Sequence, residues 1–295
     1  MNPQSPGGEV PPLFQGLFDD AAVFPPGDLP LVLAVPAHRA HRTAWYAAAV
    51  GPFLCGAARL GELPYLTEVP LRVGIVLPGG SATLPGALKT VAGFEPGGIL
   101  LAGVELGGVG PTTADVRAAV EALDAHLPPG VPAAVELPRG AGLEASLDVL
   151  AGTPYRAKFR TGGLSAGAFP DAEELAGFLA GCAERGVPYK CTAGLHHAVR
   201  HTDPATGFEH HGFLNVLLAA LAAHQGGRQG ATQALRERSG GVLAGAAAAL
   251  TGPQVELARA SFTAFGTCSI AEPLDDLAGL GLLTPPAPPP HLEDR

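Results

Sequence analysis

The feature that most constrains this chain is a repeating order, in which short apolar runs bounded by turn residues alternate with segments of helical length. The runs are 31–36, 53–57, 71–77, 99–105, 133–137, 155–160, 189–193 and 262–268. Helical patterns lie between most of them, at 38–50, 84–94, 113–127, 143–151, 170–185 and 212–224. Pro111-Thr112-Thr113 and Pro170-Asp171 are start signals, and Gly186 is a stop signal. Strand–helix alternation implies parallel pairing, because parallel neighbours need a crossover long enough to hold a helix. Eight such units predict an α/β fold, a single-domain (β/α)8 TIM-type barrel over 13–283, with a doubly wound open sheet as the alternative. The connection 59–70 is short for a helix. The one between 193 and 262 predicts an insertion of two or three helices before the last strand.

Composition supports a large core and removes several classes of function. Of 295 residues, 47% are hydrophobic and only 15% charged, enough apolar material for one sizeable barrel. A net charge of −9 is the wrong sign for a nucleic-acid partner. No apolar run reaches the roughly 18 residues of a membrane span. Cys55, Cys182, Cys191 and Cys268 form no CxxC pair, which reads as reduced thiols and a cytoplasmic location. Residues 1–12 are polar and Pro/Gly-rich without a signal-peptide pattern, and 284–295 are mostly proline and charge. Both are expected to be loose.

Lysine usage then singles out two positions. Only Lys89, Lys158 and Lys190 occur, and the last two fall inside strand-like runs. A barrel strand is buried on both faces, so a charge within one needs a reason. In Tyr155-Arg156-Ala157-Lys158-Phe159-Arg160, a period of two places Arg156, Lys158 and Arg160 on one face and the apolar set on the other. Lys190, Thr192 and Gly194 share a face in the next strand, the fourth run ends in Glu105 and the fifth carries Glu136. These groups are expected to meet at the carboxyl-end mouth, where barrel enzymes place their chemistry. One reading is a structural ion-pair network; the other is a site. Two inward ammonium groups on adjacent strands would repel each other, lowering a lysine pKa and freeing an amine to attack a carbonyl.

These stretches resemble the class I aldolase barrels, and specifically the deoxyribose-phosphate aldolase family, with its Lys-Thr-x-Thr-Gly and Lys-x-x-Gly-Gly motifs on strands six and seven. The counterparts are Lys158-Phe159-Arg160-Thr161-Gly162 and Lys190-Cys191-Thr192-Ala193-Gly194. Phe265-Gly266-Thr267-Cys268-Ser269 is similar to the family's phosphate-binding turn, and Cys55 and Leu77-Pro78-Gly79-Gly80 match loosely. The resemblance implies a lyase with Lys158 as Schiff-base nucleophile and Lys190 as its pKa-lowering neighbour. Gly194 and Ser269 would hold an anionic end of a small carbonyl or phosphorylated substrate. The chain departs from the pattern in three places. Glu105 stands where the family has a proton-handling Asp, Arg160 replaces a small residue, and Cys268 replaces a serine.

The family also lacks a histidine cluster found here: His196, His197, His201, His210 and His211 follow the seventh strand. If the chain is helical there, His197 and His201 form an i, i+4 pair able to bind a metal. Asp203-Pro204 argues against one continuous helix. Three roles stay open: proton transfer by His196 and His197 with His201 on substrate, a divalent-metal site of His196, His197 and His201, or incidental histidines. Asn215 is placed to orient His211, and Asp19 and Asp20 precede the first run without assigned chemistry. Three functions follow: an aldolase-like lyase needing no cofactor, a metal-dependent hydrolase or isomerase, or a non-catalytic binding subunit. A small-molecule substrate is expected, and homo-oligomerisation is left open.

Overall fold

The computed structural model describes residues 8–66, 70–94 and 98–286. Residues 1–7 and 287–295, the greater part of the two ends expected to be loose, lie outside them. Inside them, Gly8 donates its N–H to the Thr284 carbonyl at 3.0 Å, and Pro12–Phe14 forms a short 3-10 turn that buries Leu13 and Phe14.

Eight parallel strands close into a barrel, as the alternation predicts. They are β1 (Phe18–Asp20), β2 (Val50–Gly56), β3 (Leu71–Leu77), β4 (Ile99–Leu106), β5 (Ala133–Glu136), β6 (Arg156–Arg160), β7 (Tyr189–Thr192) and β10 (Phe262–Thr267). The remaining two, β8 (His201–Thr202) and β9 (Glu209–His210), form a small antiparallel hairpin in the β7–β10 connection. Around the barrel the order is β1-β10-β7-β6-β5-β4-β3-β2, with β2 pairing back onto β1.

Two assignments are overturned: the helix expected at 38–50 ends at Thr43, with a 3-10 turn at Ala47–Ala49 and Val50 opening β2, and the first strand is misplaced. The run 31–36 is the start of helix α1 (Leu31–Thr43), not the first strand. Its buried residues are Leu31, Ala34, Val35 and His38, a helical spacing, whereas Val32 and Leu33 are more than half exposed. Two apolar residues facing outward made an amphipathic helix look like a continuous apolar run. The true β1 is three residues long and two of them are aspartates, so neither its length nor its composition marks it as a strand.

The other helices follow the sequence signals closely: α2 (Leu84–Ala92), α3 (Thr113–His126), α4 (Leu143–Leu150) and α5 (Ala172–Arg185). Thr112 and Asp115 form a capping box at the start of α3. Asp171 caps α5, and Gly186 ends it in the left-handed conformation that glycine adopts without steric cost. The 57–66 connection is a 3-10 segment. The long connection holds three helices: α6 (Phe213–Arg236), which breaks at Gly226–Gly227, then α7 (Gly240–Ala248) and α8 (Gly252–Ser261). A last helix, α9 (Ala271–Gly279), follows β10.

Strand parity sorts the side chains as the period of two requires. Phe159 points outward from β6 and stacks on Phe178 of α5, with centroids 4.3 Å apart. Phe265 of β10 packs between Phe18 and Phe213, at 5.4 and 5.3 Å. With the apolar set committed to the helices, Lys158 and Lys190 are left facing the barrel axis.

Candidate active site

Register brings the charges together. Lys158 pairs laterally with Lys190 on one side and with Glu136 on the other. Glu105 reaches between the two lysines from β4. Its Oε2 lies 3.1 Å from Lys158 Nζ, and its Oε1 accepts a hydrogen bond from Lys190 Nζ. Lys158 Nζ is also 3.1 Å from Glu136 Oε2, and Lys190 Nζ donates to Asp19 Oδ2 at 2.5 Å. Arg160 Nε stands 3.8 Å from Glu136 Oε1. The result is a chain of alternating charge: Asp19, Lys190, Glu105, Lys158, Glu136, Arg160.

Two glycines make this arrangement possible. On β2, a Cβ at Gly51 would collide with the Asp19 carboxylate, so only glycine leaves room for Asp19 in its place. At the end of β7, Gly194 has φ +76°, and a Cβ there would meet the Thr161 carbonyl at 2.7 Å. The ends of β6 and β7 can therefore close on each other, a contact reinforced by the Thr161 hydroxyl donating to the Ala193 carbonyl.

The electrostatics differ from simple lysine–lysine repulsion. Burial alone would push the Lys190 pKa down. The pull of Asp19 and Glu105, with their hydrogen bonds, outweighs it and raises the pKa, so Lys190 stays a cation. Burial would likewise raise Glu105, but Lys190 and Lys158 hold it down at about 2. Asp19 has only one of these cations in contact, and there burial prevails and raises its pKa. The expectation that Lys190 would act by like-charge repulsion is corrected: Glu105 is interposed and joins the two ammonium groups.

Above this chain lies a cavity of about 590 Å³, lined by Glu105, Lys158, Arg160, Thr192, Gly194 and His196 among the residues the sequence singles out. Its size suits a small metabolite. Lys190 and Glu136 are not in its lining and meet it through Glu105, Lys158 and Arg160. Ser269, expected to hold an anion, is turned elsewhere: its hydroxyl accepts the Glu272 N–H at the start of α9. Cys268 takes the place in the wall beside His196.

The histidine segment is not helical, so the i, i+4 argument fails; 201–202 and 209–210 pair as the β8–β9 hairpin. His196 Nδ1 lies 2.9 Å from Glu272, and His197 Nδ1 lies 3.2 Å from Asp276. His201 Nδ1 donates to the Val199 carbonyl at 3.1 Å. His197 and His201 are outside the cavity, in a groove against α9, while His210 reaches into the cavity and packs on Phe169 at 4.5 Å. Among the described residues, no group of three or more His, Cys, Asp or Glu side chains could hold a metal ion. His211 is buried, with Nε2 2.9 Å from the Pro170 carbonyl and Nδ1 3.2 Å from Arg200. Asn215 is not among its hydrogen-bond partners; it accepts the Arg200 N–H and donates to the Ala234 and Glu237 carbonyls.

Asp19 is the participant that sequence reasoning left without a role. Its neighbour Asp20 forms a buried pair with His38 of α1 at 2.9 Å, which ties α1 to the end of β1. Two adjacent aspartates flanked by Leu17-Phe18 and Ala21-Ala22 were the available signal, since acids amid apolar residues seldom go unpaired. Among the described residues no helix is long and apolar enough to cross a membrane. A closed (β/α)8 barrel with charged groups converging at its carboxyl-end mouth is compatible with an enzyme. Compared with family models, curated proteins and solved structures, the chain gives no match.

Proposed function

We propose that this barrel is an aldolase-like lyase that forms a Schiff base on Lys158. The observation that carries the reading is the position of Lys158: a buried ammonium that nevertheless lines the cavity, held 3.1 Å from each of two carboxylates. A buried network with a purely structural role has no need to open onto a cavity of substrate size.

The residues divide the work as follows. Glu136 is part exposed at the rim and gives the Lys158 proton a way out to solvent, while Glu105 stays ionised between the lysines. The freed amine adds to a substrate carbonyl, and loss of water leaves an iminium on Nζ. The Cα–Cβ bond then breaks, its electron pair moving toward the positive nitrogen to leave an enamine, which is protonated at Cα and hydrolysed from Nζ. As the bond breaks, a base accepts the proton of the β-hydroxyl, and the fragment that carries it leaves as an aldehyde. His210 lines the cavity, and burial followed by His201 lowers its pKa, so it is neutral and able to accept that proton. Lys190 keeps Glu105 ionised and placed, a positioning role.

Borohydride reduction in the presence of small aldehydes and ketones, followed by mass mapping, tests the reading. The expected result is one adduct on Lys158, absent in Lys158→Arg and present in Lys89→Arg. No adduct on Lys158 with any carbonyl compound overturns it and leaves the network a structural one.

A further inference from the structure

The wall of the cavity formed by β2, β3 and the β1–α1 loop is apolar. In the closed order β2 stands four strands from β6 in either direction, so Leu54 lies across the mouth from Lys158 and Arg160. Val76 of β3 and Phe24 and Pro26 of the β1–α1 loop extend the apolar wall; Phe169, which follows β6 on the cation side, packs with Phe208 at the mouth, centroids 5.5 Å apart. The cations stand on the opposite side.

Arg160 is loosely held. Its side chain is 48% exposed, its Nε is 3.8 Å from Glu136, and its Nη1 donates to the Gly162 carbonyl at 3.4 Å. Arg139 grips Glu174 with Nε and Nη2, each at 2.6 Å, the fork geometry that suits a carboxylate. A fork open to the cavity, two residues along one strand from the Lys158 amine, sets an anion about 6–7 Å from the carbonyl-reactive group at the backbone, within reach of both long side chains.

The turn after β10 uses several of its polar groups internally. Ser269 caps α9, its N–H is given to the Thr267 hydroxyl at 3.3 Å, and Gly27 packs against Cys268 so closely that a Cβ would lie 2.8 Å from the Cys268 Cβ. Among the described residues, Arg160 is the one guanidinium in the cavity lining, and its single charge and planar fork match a carboxylate better than a dianionic phosphate.

From these walls we infer that the substrate is an oxo acid: its carboxylate is bound by Arg160, its carbonyl lies at Lys158, and its apolar, preferentially aromatic, substituent rests against Leu54, Val76 and Phe24. The inference rests on the Schiff-base reading for the carbonyl and stands on Arg160 and the apolar wall for the rest.

The test separates binding from chemistry. Calorimetry on the full chain uses 3-phenylpropanoate, which has no carbonyl, against 2-phenylethanol and 2-phenylethyl phosphate. The carboxylate is expected to bind at least about tenfold more tightly than either. Arg160→Gln is expected to weaken it by about tenfold to a hundredfold, and Arg160→Lys to restore only part. Arg160 is half exposed, so its variants fold, as a thermal unfolding scan checks; Leu54→Asn, expected to weaken binding to a similar degree, is the second variant. Equal or tighter binding of the alcohol or the phosphate, or no effect of Arg160→Gln, overturns the inference. Phenylpyruvate with borohydride forms the second arm. Arg160-dependent binding of 3-phenylpropanoate without a Lys158 adduct overturns the Schiff-base reading and upholds the ligand class. A Lys158 adduct formed more readily with glyceraldehyde 3-phosphate than with phenylpyruvate overturns the ligand class and leaves the Schiff base standing.

Discussion

Asp19 and Gly51 carry the finest detail of the site, because the carboxylate occupies the space a β-carbon on β2 would need. Gly51→Ala is therefore expected to push Asp19 off Lys190. Overpacking of this kind costs about 1–3 kcal/mol, read as a lower urea midpoint at unchanged slope, and Lys158 adduct formation should slow with it. Asp19→Asn keeps the shape and removes the charge. Half-breaking a buried pair in this way costs on the order of 3 kcal/mol, measured by the same unfolding. At this scale much of the site is legible in the sequence: Lys158, Lys190 and Glu105 stand out as charges inside apolar runs. Asp19 does not, because its strand is three residues long and two of them are acids. Ser269 was misleading for another reason: a serine in a loop is equally suited to binding an anion and to capping a helix, and only the position of α9 decides.

Among the elements, α1 is the lesson in periodicity. Its buried positions repeat at helical spacing, but Val32 and Leu33 fill the gaps with exposed apolar residues. Val32→Lys and Leu33→Gln should each shift stability by no more than about 0.5 kcal/mol, whereas Val35→Ala, inside the core, should cost about 2 kcal/mol. Chemical unfolding distinguishes the helix from a buried strand, in which alternate residues would matter. The β8–β9 hairpin is held over the mouth by Glu209, which lies 3.0 Å from Arg200 and also meets Arg238 and the Thr202 hydroxyl. Burial would raise the Glu209 pKa, but Arg238, Thr202 and Arg200 hold it down at about 2. Glu209→Gln is expected to speed amide hydrogen exchange across 201–210 several-fold while the global unfolding midpoint moves little. Protection unchanged in the hairpin would mean that other contacts hold it.

For the whole molecule, pH is the most direct probe. His211 is held neutral: burial lowers its pKa from 6.5 to about 4, against the opposing Pro170 hydrogen bond. As pH falls, the unfolded chain takes up the proton first. The stabilisation is complete above 6.5 and is lost between 6.5 and about 4, a range worth roughly 3 kcal/mol at most. Glu105 follows at lower pH, its contribution present above 4.5 and lost towards about 2. Urea midpoints measured from neutral pH downward should fall first in the histidine window. His211→Gln, which can keep both hydrogen bonds without titrating, should flatten that part of the curve. An identical pH slope in the variant would exclude His211 as its source.

The sequence by itself determined the parallel α/β architecture, seven of the eight barrel strands and the inward parity of Lys158 and Lys190, because these follow from local periodicity along the chain. Tertiary structure alone decided where the barrel closes, since β1 is recognisable only by its pairing with β2 and β10. It also decided what the lysines meet. Their neighbours come from strands distant in sequence, so the interposed Glu105 and the Asp19 beneath Lys190 turn an expected repulsion into a paired chain of charge, an outcome that depends on distances no spacing along the chain records.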